Sequence, residues 1–406
     1  MAATPMLLDF DGLSRPVAVA DEAALLDRLP LVLPSWRHRE SRSTAAPVIA
    51  LSREDGRYRL RAARDCKSVD HADPVDALCS LVVELFWALV DDDSGLLCLH
   101  GAAAEFGGRL VVFPSRYRAG KSLLAGCLAA AGLRLFADDV LAVGVASDGG
   151  PDLGIASGVA PRLRLPLPDD LGAATRAFLE RRRGPESRRY RYLDLGPEAL
   201  APRPSRAPIG GFVLLERESG AKPELAPLGD AAVLKQVVWQ NFARGADSAR
   251  ILDRLHRLVG GAACFRLRYG RAEDAVATLS EAFANWDPAP RAHAPTKAPC
   301  PSTTTGADER TPKGALRQRA GLGQTMVDGE LFLTDADGIA VYHLNPLAAR
   351  LWDLLADPTT PAELIALLTT AFPDAEPGRV AADVDTLLDG LRSKGLLFGT
   401  SGEAAT

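Results

Sequence analysis

The chain is 406 residues long, more than one ordinary hydrophobic core accommodates, and fits two or three domains. Its 47% hydrophobic and 24% charged residues are the balance of a soluble globular protein, and a net charge of −5 excludes a polyanionic partner on the whole-chain average. The distribution is uneven: residues 161–206 carry eleven Arg against six acids, a local +5, whereas 321–400 carry twelve acids against four bases, a local −8.

Six cysteines (Cys66, Cys79, Cys98, Cys127, Cys264, Cys300) are scattered without a CxxC pair. That pattern argues against a disulfide framework and for a reducing, cytoplasmic setting. The opening MAATPMLLDFDGLSRP lacks the basic and apolar regions of a signal peptide. The longest apolar run, Ala77 to Val90, is 14 residues with Glu84 inside it, which suits a buried helix and is too short to cross a bilayer.

In chain order, residues 1–95 mix short strand-like runs, GRYRLRA (56–62) among them, with a helix predicted at 75–90. No chemistry attaches to this region. LLCLHGAAAEF, then Gly107-Gly108, then RLVVF read as a β-hairpin, because glycines supply the positive φ of a tight turn. A helix is predicted over 121–131, with Leu124, Leu128 and Ala131 on one face and Gly132 as its stop. LRLF (133–136) reads as a short buried strand ending in Asp138-Asp139. Residues 157–206, rich in Arg and Pro, read as mainly loop. Within them RRYRYLDL (188–195) interleaves bases and aromatics, either a face for an acidic substrate or a merely solvated run. Strands are predicted at IGGFVLLER (209–217) and CFRLRY (264–269), in an otherwise helical 228–286.

Residues 287–320 carry Pro, Thr and Ala without periodicity and read as a linker, spanning on the order of 30 Å as a flexible coil. A compact module follows over 321–400, with strands at 330–334 and 339–344 and helices near 346–356, 361–371 and 379–394.

Phosphate binding needs backbone N–H groups converging on an anion, a Lys as mobile positive charge, and a hydroxyl for Mg²⁺. Strand 110–113, loop 114–120 and helix 121–131 supply those parts in order. The backbone of Ser115, Arg118, Ala119 and Gly120 would cradle the phosphates of ATP, helped by the helix dipole. Lys121 would reach the β/γ-phosphates, and Ser122 would ligate Mg²⁺. The motif is a variant, with Ser115 where GxxxxGK[ST] wants glycine and Arg118 where many such loops carry another. Asp138 and Asp139 follow Lys121 by 17 and 18 residues, where a metal ligand and a base should lie; a solvated turn is the bland alternative.

HGAAAEFGGRLVVF, PSRYRAGKS and LLAGCLAAAGLRLFADD together resemble the catalytic domain of the HPr kinase/phosphorylase family, specifically over about 96–145 and more loosely to 286. The resemblance implies an α/β (α+β) P-loop kinase domain over 96–286, distinct in fold from the doubly wound NTPases. By position it makes Asp139 the general base, Asp138 and Ser122 the Mg²⁺ ligands, and Lys121 the neutraliser of the transferring phosphate, with His100 beside it. The family's downstream metal-binding glutamate has no equivalent, because SGVAPRLRLPLP (157–168) contains no acid. The reverse, phosphorylase activity is therefore not expected. Arg162 and Arg164 stand there instead, either as neutralisers of phosphate charge or as solvated strand residues.

GELFLTDADGIAVYHLNPLAARLWDLL, two further helices and KGLLF resemble PqqD, a peptide chaperone used in modifying ribosomal peptides, over about 326–398. The shared features are Asp335, Asp337, Gly338, Leu344-Asn345, Leu351-Trp352 and Asp383-Val384. The resemblance implies a small winged-helix-like α+β module that takes a leader peptide as an extra strand on 339–344, against the helix at 379–394. DNA binding, the natural rival for a winged helix, is disfavoured by the local −8.

Joined, the two parts imply an ATP- and Mg²⁺-dependent kinase for a Ser or Thr of a ribosomal precursor peptide, guided by its leader. Two alternatives stay open. One is a degenerate nucleotide-binding scaffold presenting the peptide to partner biosynthetic enzymes; the other is a kinase of a folded carrier protein.

Overall fold

A computed structural model describes residues 5–20, 22–65, 67–93, 95–114, 119–144, 150, 152–242, 247–286, 312–335 and 337–399. They fall into two compact units, Met1–Ala246 with Leu255–His293, and Asp247–Arg254 with Ala294–Thr406. Ser115 and Arg118 of the variant loop lie outside the described residues.

The first unit begins with a six-stranded sheet, in which Ile49–Glu54 and Arg57–Ala62 form a hairpin through Asp55 and Gly56, both at positive φ. Helix Pro74–Asp92 packs against it. Its start is set by Asp73, whose side chain accepts from the Val75 amide at 2.8 Å, and by Pro74 in the first turn. Eleven of its side chains are buried, so the long apolar run is a core helix, with Phe86 edge-on to Trp36 at 5.6 Å.

A nine-stranded sheet follows in the same unit. Ala102–Phe106 and Arg109–Phe113 form the predicted hairpin, with Gly107 and Gly108 both at positive φ. The long strand Arg206–Arg217 ties the sheet together. It runs parallel to Arg109–Phe113 on one side and to Ala263–Tyr269 on the other. The helix after Arg109–Phe113, Lys121–Ala130, therefore starts beyond the carboxyl end of a parallel strand, where α/β sheets place ligand crevices. Leu124 and Leu128 of this helix are buried in the main core, whereas Ala131 is exposed and caps it.

Residues 157–206 are mainly loop, as their composition suggests, yet they also hold short elements: Arg162–Arg164, Arg183–Glu186 and Tyr190–Leu193 form a three-stranded antiparallel sheet beside helix Ala173–Arg181. Strands of three or four residues are too short for alternation to register, and Arg and Pro mask them. Leu135–Ala137 leads into Asp138-Asp139, and Val140–Gly144 resumes immediately after these two acids.

In the second unit, Gly323–Val327, Glu330–Thr334 and Val341–Leu344 form an antiparallel sheet with Val341–Leu344 at one edge. Helices Pro346–Leu354, Pro361–Ala371 and Pro377–Ser393 follow. Leu316–Gln318 pairs with Leu397–Gly399, so the last residues read as linker belong to the folded module. The motif residues have local causes. Asp335 Oδ1 accepts from the Ile339 and Ala340 amides and Gly338 takes positive φ, which closes the turn. Leu344 is buried while Asn345 caps the next helix by accepting from the Ala348 amide at 2.9 Å. Trp352 is fully buried and joins Leu351, Val384 and Leu388 in the core.

Candidate active site

Arg109–Phe113 delivers the chain to the loop, and the loop's described end, Ala119-Gly120, enters helix Lys121–Ala130. Gly120 sits at φ +90°, and a Cβ there would lie 2.9 Å from the Tyr269 hydroxyl. Only glycine meets both conditions. Tyr269 in turn donates to the Ala119 carbonyl at 3.1 Å, so the strand Ala263–Tyr269 braces the loop end. The first amides of any helix have no intrahelical carbonyl to donate to, which is the geometry that suits an anion.

Lys121, at the first helical position, is buried. Burial pushes its pKa down, while the neighbouring Asp139 and Asp138 oppose that shift. The two acids stand in the bend between Leu135–Ala137 and Val140–Gly144. Sheet register fixes what they meet. Val140 pairs with His100, and the Gly101 amide donates to the Asp139 carbonyl at 2.9 Å. That places His100 Nε2 3.0 Å from Asp139 Oδ1.

Arg162, the first residue of a short strand, reaches the same corner twice. Its amide donates to Asp138 Oδ2 at 2.6 Å, and its guanidinium lies 3.1 Å from Asp139 Oδ2. It is also stacked over the Tyr190 ring at 4.7 Å. Asp139 is thus held between His100 and Arg162.

The adjacent carboxylates titrate in opposite directions. Asp138 is pushed up to about 6, first by burial and then by the charge of Asp139, against stabilisation from the Arg162 amide and the Ser122 hydroxyl. Burial also raises Asp139, but His100, Arg162 and Lys121 outweigh it and hold the group at about 2. Asp139 is partly open to solvent and ionised; Asp138 is enclosed and poised near neutrality.

A cavity of about 790 Å³ unites these groups: Lys121, Ser122, His100, Asp139 and Arg162 all line it. Arg164 and Tyr190 line it as well. The basic, aromatic run at 188–195 is only partly a face, because Arg191 is buried against Glu180 and Glu186 and Tyr192 is buried against Cys79. Residues 1–95, to which no chemistry was attached, contribute Val83 and Trp87, and Phe242 stands with them. Trp87 lay in a run that reads as core, and nothing in its spacing separates a cavity-facing aromatic from a packed one.

The donor set suits a nucleotide-bound Mg²⁺. Asp138 Oδ1 is buried with no hydrogen-bond partner among the described residues, and Ser122 acts on the same carboxylate. No group of three or more His, Cys, Asp or Glu that could hold a metal occurs among the described residues. Mg²⁺ on a nucleotide needs only one or two protein oxygens, the remainder coming from phosphates and water. No described helix is long and apolar enough to cross a membrane.

Comparison with protein families matches residues 330–397 to the model for coenzyme PQQ synthesis protein D (PqqD). The C-terminus therefore carries a PqqD domain. Curated proteins give no match. Among solved structures, TbiB1 in complex with the TbiA(beta) leader peptide is similar at 21% identity, covering 22% of this chain and 99% of that one, with a TM-score of 0.19. The Hpr(Ser) kinase/phosphatase from Coxiella burnetii is similar at 12% identity, covering 46% of this chain and 97% of that one, with a TM-score of 0.24.

Proposed function

We propose that this chain, with a PqqD domain at its C-terminus, is an ATP-dependent kinase for a Ser or Thr hydroxyl of a ribosomally synthesised precursor peptide. The observation that carries the kinase half is the convergence of Lys121, Ser122, Asp139 and His100 on one cavity, beside a glycine-gated helix start and with Asp138 enclosed next to Asp139 in a smaller adjoining cavity. Phosphoryl transfer asks for this combination: cations for the phosphates, a hydroxyl and carboxylate for a divalent ion, and a second carboxylate for the nucleophile.

In this reading the amides at the start of helix Lys121–Ala130 and the Lys121 ammonium bind the ATP phosphates. Ser122 and Asp138 would hold Mg²⁺, which would supply neutralisation of phosphate charge. Asp139 accepts the hydrogen bond of the peptide hydroxyl and takes its proton as the oxygen attacks the γ-phosphorus. The bond to the β–γ bridging oxygen breaks, and ADP leaves. A carboxylate held near 2 orients a hydroxyl better than it strips one, which suits a loose transition state. His100 and Arg162 keep that carboxylate ionised and aimed. The absence of an acid in 157–168, where Arg162 and Arg164 line the cavity instead, favours the forward reaction over phosphorolysis.

The PqqD match carries the peptide half. Val341–Leu344 offers a free sheet edge for a leader to extend, and helix Pro377–Ser393 is the second wall the PqqD resemblance implies. Leader binding would hold the core peptide at an effective concentration on the order of millimolar, so the cavity itself need not grip it tightly. Incubating the full chain with labelled ATP, Mg²⁺ and a leader-bearing precursor tests this. Label on a Ser or Thr of the peptide is expected. ATP binding without any transfer would favour a scaffold that presents the peptide to other enzymes.

A further inference from the structure

The cavity is not uniformly polar. Val83 and Trp87 of helix Pro74–Asp92, together with Phe242, form an apolar wall on it. The Trp87 and Phe242 rings meet at 4.9 Å between centroids. Arg64 covers Trp87 at 4.5 Å while bonding both oxygens of Glu84 at 2.7 Å, and Glu84 lies on the same helix. The indole is thereby clamped in orientation, and Val83 beside it is 39% exposed.

The wall stands at the acid end of the cavity. The Phe242 amide donates to the Cys98 carbonyl at 3.1 Å, two residues before His100, which touches Asp139. Val82 and Phe86, on the same helix as Val83 and Trp87, line a smaller cavity behind Asp138 and Asp139. The nucleotide end, by contrast, is the helix start at Ala119–Ser122. In an in-line transfer the acceptor enters opposite the leaving nucleotide, hence from the side of Asp139. The phosphate chemistry uses none of these apolar groups, and a fixed aromatic face open to a cavity is a specificity element that awaits an apolar ligand.

Resting on the kinase reading, we propose that Val83, Trp87 and Phe242 form a subsite for a bulky apolar or aromatic residue flanking the acceptor Ser or Thr. The wall selects the peptide's sequence next to the phosphorylated residue, and the PqqD domain selects its leader.

The test uses the full chain with Mg²⁺ and a non-hydrolysable ATP analogue. The probes are two labelled short peptides, one with Ser between two Phe and one with Lys replacing each Phe. Fluorescence anisotropy should show a preference for the Phe peptide of roughly tenfold or more, the range a fitted apolar pocket gives. Trp87→Ala and Phe242→Ala should erase most of that preference while binding a fluorescent ATP analogue as the native chain does. Val83→Asp, at an exposed position that folding tolerates, should shift the preference toward the Lys peptide. Equal binding of both peptides by the native chain overturns the proposal, as does a preference that Val83→Asp leaves unchanged. Loss of nucleotide affinity in Trp87→Ala and Phe242→Ala with peptide preference intact would assign the wall to the base of ATP and overturn it too. A preference that behaves as expected, with no phosphate transfer when Mg²⁺-ATP and a leader-bearing precursor replace the analogue and short peptides, would instead remove the kinase reading and leave the subsite standing.

Discussion

His100 Nε2 lies 3.0 Å from Asp139 Oδ1 because the strand ending in His100 pairs with the strand that begins right after Asp139. A sheet ladder thus sets the contact, and loop flexibility does not loosen it. If Asp139 is the base, Asp139→Asn should lower phosphoryl transfer by roughly 10²–10⁴-fold, the span of general-base contributions, with nucleotide affinity retained. Transfer kinetics beside nucleotide titration check it.

His100→Ala should act more mildly and with a pH signature. His100 is one of the groups that holds Asp139 at about 2, so its loss raises that pKa. The acidic limb of the pH–rate profile should then move to higher pH, while the rate at neutral pH falls less than in Asp139→Asn. An acidic limb that stays in place contradicts the coupling.

Asp138 gives a stability prediction of opposite sign to the usual carboxylate. Its folded pKa of about 6 lies above the ordinary unfolded value near 4, so between those values the folded state keeps a proton that the unfolded state has lost. Stability is therefore full below the unfolded pKa and declines as pH rises through about 6, by on the order of 3 kcal/mol. In chelator, Asp138→Asn should melt higher than the native chain at pH well above 6, with the gap closing at low pH. Melting curves at the two extremes decide this.

Gly120→Ala should disable the phosphate end without touching a charged group. A Cβ at φ +90° is strained, and it would meet the Tyr269 hydroxyl at 2.9 Å. Strain of about 1–3 kcal/mol at the loop end should weaken ATP binding by roughly tenfold or more. Calorimetric titration of the variant, beside a melting curve to show that it folds, measures this.

Much of the site was legible because its parts are close in sequence. Gly120-Lys121-Ser122 opens a helix, and two acids follow at a fixed spacing, so a local pattern carries the geometry. Arg162 was legible only as a base near phosphate. Its bonds to Asp138 and Asp139 span more than twenty residues and depend on a three-residue strand that Arg and Pro disguise. Trp87 was hidden for the opposite reason: it sits in an apolar run whose periodicity is satisfied by core packing, and only tertiary contact separates it from its buried neighbours. The C-terminal strands and helices read well from alternation and caps. Leu316–Gln318 did not, because its partner strand Leu397–Gly399 lies at the far end of the module.

The measurement that bears most directly on leader-guided transfer at Asp139 is a single-turnover comparison of four reactions. The native chain and a chain lacking 312–406 are each given Mg²⁺-ATP with a leader-bearing precursor or with its leaderless core. Leader guidance predicts fast transfer only for the native chain with the leader-bearing peptide, and a common slow rate in the other three reactions. A truncated chain that phosphorylates the full precursor as fast as the native chain would contradict it, and would point to a kinase that recognises its acceptor through the catalytic unit alone.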